Sequence, residues 1–439
     1  MPRKRRYTIP LVVSLLLVAL FIWQLPVILR AIPSRYLYRA PEFVQELARG
    51  EQNPILPTVA APVDAAALLI PTVTPTDTAT TQPTPQIITT GGPPSSPTPI
   101  PTSTPEPTPT TVPIPINGSA RLEGIYHQFQ DWNNCGPATL AMTLSYFGLG
   151  LAQTQTAAFL KPSQEDRNVS PHEMAAYVNT QTAFRALDRA NGDLDTLRRL
   201  LDAGFPVVIE IGLDPPGEYA WLEWYGHYLL VVAYDDAQEQ IWTYDSWFGT
   251  SEVPGENKHS FGRIVSYENL ETYWAQFNRN YITFYPPEEM ATVEAIIGPN
   301  MDDTTMWQAA LERAQIEATS QSENAFSWFN VGTAYVNLGD YEKAAAAYDQ
   351  ARAIGLPWRM LWYQFGPYEA YYQVGRYEDV LTLTNTILKD YAYFEEAFYY
   401  RGLAEQALGD LAAARRDFEK AAAFNPNFAP AVEALAQLN

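Results

Sequence analysis

The sequence predicts an α+β domain with an antiparallel sheet, followed by an all-α repeat domain and preceded by an apolar N-terminal helix and a long Pro/Thr-rich linker. Three observations carry this. Between residues 121 and 290 the helical signals come first and the strand signals after, the order expected of an α+β unit rather than of alternating βα units. From about residue 325, small and aromatic residues recur at a period near 34 residues, the mark of stacked helix pairs. Before residue 120 the chain is either continuously apolar or dominated by Pro and Thr, and neither pattern builds a globular core.

Arg3, Lys4, Arg5 and Arg6 precede a charge-free run from Ile9 to Leu29. A transmembrane helix needs about 20 apolar residues, and a signal peptide ends its shorter apolar region at a small-residue cleavage site, for which this run has no convincing match. Residues 1–30 are therefore expected to be an uncleaved membrane anchor, with residues 31–53 as a juxtamembrane segment. Arg30, Arg35 and Arg39 nearly balance the basic N-terminus, so the positive-inside rule leans only slightly toward a cytoplasmic N-terminus and an extracytoplasmic remainder. Residues 54–120, with runs such as Pro71-Thr72-Val73-Thr74-Pro75-Thr76, read as a disordered, semi-rigid stalk.

A formal net charge of −21 removes the electrostatic footprint of a nucleic-acid binder. The single cysteine excludes an intramolecular disulfide and leaves a thiol that is either reactive or buried. Asp166-Arg167-Asn168-Val169-Ser170 alternates oxygen ligands but lacks the Gly and distant Glu of a calcium loop, so it reads as a helix cap. No metal and no cofactor is expected.

In the central domain, Cys135-Gly136-Pro137 opens a helix that continues to Gly148, with Pro near the first helical position. Ser170-Pro171-His172-Glu173 has capping-box spacing, and Asp193 opens a helix that Gly204 stops. Strands are expected at 206–211, 228–234, 240–244 and 281–285. In the C-terminal region Gly332, Gly339, Tyr341 and Tyr348 recur as Gly402, Gly409, Leu411 and Phe418, with a weaker copy at Tyr371, Gly375 and Tyr377. Gly375 and Gly409 lie 34 residues apart, and the first junction, around Gly355-Leu356-Pro357-Trp358, carries a small insertion. These repeats look like tetratricopeptide repeats over 325–439, joined to the central domain by a helical segment at 291–324.

Cys135 stands where the unpaired N–H groups and positive dipole end of a helix favour a thiolate. A cysteine nucleophile needs a base, and the base needs an orienting group. Of four histidines, His172 falls in a capped helical turn and His259 in a polar loop, and His127 directly precedes the cysteine segment. His227 stands before the most apolar strand of the domain. If that strand turns through Asp235-Asp236, the returning strand ends at Asp245, opposite Leu229 or Leu230, close to His227. Gln130 or Gln128, both upstream of the cysteine, offers a side-chain amide for an oxyanion, and Gln130 is the favoured one. Trp221, Trp224, Tyr225, Trp247 and Phe248 either line substrate subsites or pack the core.

Gln130, Asn134-Cys135-Gly136-Pro137-Ala138, Gly226-His227-Tyr228 and Asp245 together resemble the double-glycine-leader, bacteriocin-processing peptidase family of papain-like cysteine peptidases, in its stand-alone extracytoplasmic branch. The resemblance spans roughly residues 122–285. It implies a papain-like fold with Cys135 as nucleophile, His227 as general base and acid, Asp245 as its orienter and Gln130 as oxyanion donor. Departures are Ser246, where relatives often have Pro, Ala233, where Gly is common, and the lack of a P-loop, so leader cleavage is not implied as firmly as proteolysis. The expected function is a membrane-anchored cysteine peptidase acting on a peptide or protein substrate, with a repeat module that binds a protein partner. The alternatives are a transglutaminase-like or wall-peptide amidase reaction on the same site, or a non-catalytic surface adaptor.

Overall fold

The computed structural model describes residues 116–214, 223–250 and 261–438, together with a few positions between 20 and 69. Most of the expected anchor and most of the expected stalk lie outside the described residues. Among the described residues no helix is long and apolar enough to cross a membrane.

The N-terminal half of the described chain is built on a seven-stranded sheet. Its path is β2 (Arg185–Arg189), β7 (Tyr281–Tyr285), β3 (Val207–Leu213), β4 (Tyr225–Asp235), β5 (Gln240–Asp245) and β6 (Arg263–Ser266), with β1 (Ser119–Arg121) pairing with β4. Every pairing is antiparallel. β1 corrects the C-terminal limit of the expected stalk, since Ser119, Ala120 and Arg121 lie opposite Asp235, Tyr234 and Ala233. β2 was not foreseen, because Arg185, Asp188 and Arg189 give it little apolar character; it is fixed by pairing with β7.

Helices cover both faces, so β4 is buried from Gly226 to Tyr234 and its sequence has no polar alternation. On one face lie α1 (Cys135–Tyr146), α2 (Gln153–Leu160) and α3 (Pro171–Gln181), whose Leu140, Met142, Leu144, Met174 and Val178 pack on Tyr228, Leu230 and Val232. On the other lie α4 (Leu194–Asp202), α5 (Tyr267–Trp274) and α6 (Met290–Ile297), which pack Leu197, Leu200, Leu270 and Val293 against Leu229 and Val231. The caps follow the local sequence. Glu173 Oε2 accepts from the Ser170 N–H at 2.7 Å, and Asp193 Oδ1 accepts from the Thr196 N–H at 2.7 Å.

α7 (Asp303–Ser320) leads into the repeats, α8 (Ala325–Asn337) with α9 (Tyr341–Ile354), α10 (Gly366–Gln373) with α11 (Tyr377–Asp390), α12 (Glu395–Ala407) with α13 (Leu411–Phe424), and a last helix α14 (Ala429–Gln437). The recurring Gly and aromatic have a shared cause. A Cβ on Gly332 would lie 2.6 Å from the Tyr348 ring, and one on Gly402 would lie 2.6 Å from the Phe418 ring, so the glycine in each first helix makes room for the aromatic of the second.

The insertion after α9 forms a 3-10 turn, Trp358–Trp362, that faces the sheet-bearing half. There Trp224 stacks on Phe277 (5.9 Å) and on Phe326 (5.6 Å), and Tyr363 meets Phe277 edge-on at 5.9 Å. Trp224, which the sequence left open as a subsite residue, is thus a packing residue. Asn330 Nδ2 donates to the Ala275 carbonyl (2.6 Å), and Arg279 pairs with Glu317 (2.7 Å). The Arg167 guanidinium lies over the rings of Trp132, Trp362 and Tyr391, linking the cysteine segment to the repeats.

Candidate active site

Cys135 is the first residue of α1, half-buried, and α1 packs its Leu140 and Leu144 under the sheet face that carries Tyr228. Its cap residue, Asn134, makes no side-chain cap bond, so the helix N-terminus is not closed by its own chain. The loop before it is tied down from both sides: Lys161 Nζ donates to the Asn133 carbonyl (3.0 Å) and Arg167 Nη1 to Asn133 Oδ1 (3.0 Å). Gly136 is needed for close approach, since a Cβ there would lie 3.2 Å from Val169 Cβ.

His227 and Asp245 come from one hairpin, and one residue sets their relation. Asp235 lies opposite Gln240 at the turn, and an unbroken ladder from there would put Asp245 opposite Leu230. A bulge between Val231 and Ala233 shifts the register, and Asp245 lies opposite Leu229 instead. His227 is two residues from Leu229 and shares its face, whereas Leu230 points to the other side. The diagonal is short enough for side chains to meet, and His227 Nε2 bonds Asp245 Oδ1 at 2.9 Å.

Both groups are 3% exposed. Burial alone would lower the His227 pKa, but the Asp245 charge and hydrogen bond, with a smaller contribution from the nearby Cys135, push it up to about 10. Burial would raise Asp245, yet His227, Arg263 and the Phe248 N–H hold its carboxyl below the ordinary carboxylate value. With Nε2 committed to Asp245, Nδ1 is the ring nitrogen left for Cys135.

This geometry coincides with what the chain resembles elsewhere. Residues 123–282 match the family model described as "Peptidase_C39 like family", and residues 325–355 and 395–428 match that of the tetratricopeptide repeat. The chain joins a C39-like peptidase domain to tetratricopeptide repeats. Among solved structures, a C39-like peptidase from Bacillus anthracis is 18% identical with a TM-score of 0.30, covering 38% of this chain and 98% of that one. No curated protein matches the chain.

The C39-like domain also holds groups that sequence reading ranked or missed. His127 Nε2 bonds the backbone carbonyl of Asp245 at 2.8 Å, a brace on the residue that pairs with His227. Gln128 is spent on structure, since its Nε2 donates to the Leu151 carbonyl (2.8 Å) and its Oε1 accepts from the Gln153 N–H (3.0 Å). Gln130 is held by its oxygen only. Ser246 Oγ donates to Gln130 Oε1 (2.8 Å) and the Gln130 N–H donates to the Ser246 carbonyl (2.8 Å), which leaves the Gln130 Nε2 protons available. Ser246, a departure from the family pattern, is therefore what orients the amide.

Arg263 is the residue the sequence did not reveal. It lies opposite Thr243 on β6, two residues from Asp245 along β5 and so on the same face, and its Nη1 donates to Asp245 Oδ2 at 3.3 Å. The only available signal was a lone cation near the start of an unrecognised short strand. The N–H groups of Trp247 and Phe248 complete the acid's partners, at 2.8 and 2.9 Å on Oδ1. Gly226 adjoins His227 and is crowded: a Cβ there would lie 2.8 Å from Phe277 and 3.0 Å from the Tyr363 ring, so the repeat insertion backs the tip of the histidine strand. His172 is exposed on α3, and Trp221 and His259 lie outside the described residues.

Proposed function

We propose that the chain is a membrane-anchored, extracytoplasmic cysteine peptidase in which Cys135, His227 and Asp245 form the catalytic triad and Gln130 donates to the oxyanion. The observation that carries the reading is the 2.9 Å bond from His227 Nε2 to Asp245, made by a buried ring whose charge the nearby Cys135 also favours, with Cys135 at an uncapped helix N-terminus. The family match supports the substrate class, a peptide or protein.

In this mechanism the Cys135 sulfur attacks the scissile carbonyl carbon, and the carbonyl oxygen takes the electron pair. The Cys135 N–H and Gln130 Nε2 donate to that oxygen. His227, protonated at neutral pH because Asp245 stabilises its cation, gives its proton to the departing amine as the C–N bond breaks. A water molecule, deprotonated by His227, then attacks the thioester and returns the free sulfur. Anchoring at residues 1–30 rests on the charge-free run, and the extracytoplasmic position on that same anchor. The repeats are read as the protein-binding module.

A peptide-library digest compares wild type with Cys135→Ala. Cleavage products from the wild type alone are expected. Identical products from both, or none from either, would remove the peptidase assignment.

A further inference from the structure

Part of the expected stalk is seated on the repeats. Leu56 is 0% exposed and belongs to the repeat core, in the same cluster as Leu356 and Trp358. Its N–H donates to the Leu356 carbonyl at 2.9 Å, and Ile55 pairs with Pro357 in an antiparallel bridge. The side chain of Ile55 lies over Gly355, where a Cβ would be 3.7 Å from Ile55 Cγ2. Arg352, 2% exposed, donates from Nε to the Pro57 carbonyl (2.9 Å) and is held in place by Tyr371 and Asp379 at 3.0 and 3.1 Å. Further along, Leu68 is 7% exposed, and its carbonyl accepts from Gln315 Nε2 (2.6 Å), which also reaches Tyr335.

We infer that the repeat domain is a receptor for its own chain, holding residues 55–58 and 68–69 through two buried leucines and their backbone, with Arg352 and Gln315 as the reading groups. The contact has the form of strand addition, in which backbone pairing supplies adhesion and alternate side chains supply selectivity. It stands whether or not Cys135 is reactive.

Two consequences follow. Residues 55–58 and 68–69 are bound by the C-terminal half of the molecule. The repeat surface between α9 and α10 is also filled in cis. A tethered ligand has an effective concentration on the order of millimolar, so a competing peptide of the same chemistry must exceed that to enter.

The test is amide hydrogen exchange on the full-length chain in detergent. The Leu56 amide should exchange at least about ten-fold more slowly than in the free peptide Glu51–Ala60, since it is bonded and covered. In Leu56→Asp it should return to the free-peptide rate and residues 356–362 should lose protection, while α12 and α13 stay unchanged. Millimolar Glu51–Ala60 added to Leu56→Asp should restore protection at 356–362. Free-peptide exchange at Leu56 in the wild type, protection that survives Leu56→Asp, or no restoration by the peptide would each overturn the inference.

Discussion

His227 and Asp245 meet diagonally across two antiparallel strands, two ladder positions out of direct opposition and on one face of the sheet, with Nε2 and Oδ1 2.9 Å apart. The carboxylate also accepts from Trp247, Phe248 and Arg263, so it is fixed independently of the ring it orients.

Replacing Asp245 with Asn should therefore change the pH profile as well as the rate. The His227 pKa is raised, so the favourable contribution of the pair is complete below the ordinary histidine value and is lost as pH rises toward about 10. In Asp245→Asn the alkaline limb of kcat/KM should move to lower pH, with a rate loss on the order of 10²–10⁴-fold. An unchanged alkaline limb would show that another group carries it.

Deletion of Val232 tests the register directly. It removes the extra residue and makes Ala233 opposite Trp242 and Val231 opposite Thr243 consecutive rungs, so Asp245 stays opposite Leu229 and on the His227 face. The histidine titration seen by NMR should therefore stay raised above its ordinary range. A His227 that falls to or below that range would refute the register argument.

The two glutamines before the cysteine should separate by phenotype. Gln130→Ala removes an uncommitted amide, and kcat should fall on the order of 10²–10³-fold with thermal stability nearly unchanged. Gln128→Ala unpairs the Leu151 carbonyl and the Gln153 N–H, and should cost about 1–3 kcal/mol of stability with a smaller effect on kcat. Denaturant melts alongside steady-state kinetics distinguish them, and a reversed pattern would move the oxyanion role to Gln128.

The domain junction should be sensitive to alkali. Glu396 is buried, and burial together with the charges of Glu395, Asp166 and Glu173 pushes its pKa well up. Burial lowers the pKa of Lys161, the cation among them. A carboxyl raised in this way contributes most below the unfolded value and loses that contribution as pH rises, so the junction weakens toward alkaline pH. Glu396→Gln should raise the Tm by about 2–4 °C at pH 8 and leave it nearly unchanged at pH 4. Equal shifts at both would mean that the charge is not what matters.

Much of the site was legible because it is local. The helix start at Cys135-Gly136-Pro137, the capping box at Ser170 and the hairpin between Tyr228 and Asp245 each follow from neighbouring residues. Whether Asp245 faces Leu229 or Leu230 was not legible, because a bulge depends on partners: the Val232 carbonyl at that point accepts from the Leu122 N–H at 2.8 Å, more than a hundred residues away in sequence. β2 and β6 escaped notice for the same reason, since their polar sequences become strands only beside β7 and β5. Trp224 reads in sequence as a subsite candidate and packs in space against Phe326, a contact between halves that periodicity does not encode.

That stack has a practical meaning for anyone wishing to isolate the C39-like half. A cut placed where the family match ends, at residue 282, leaves Trp224 and Phe277 on one fragment and strips away Phe326 and Tyr363, their aromatic cover. Such a fragment would present a bare apolar patch behind the histidine strand and should aggregate on expression. The smallest well-behaved piece is expected to run past Tyr363, so the unit that folds is larger than the unit that sequence comparison recognises.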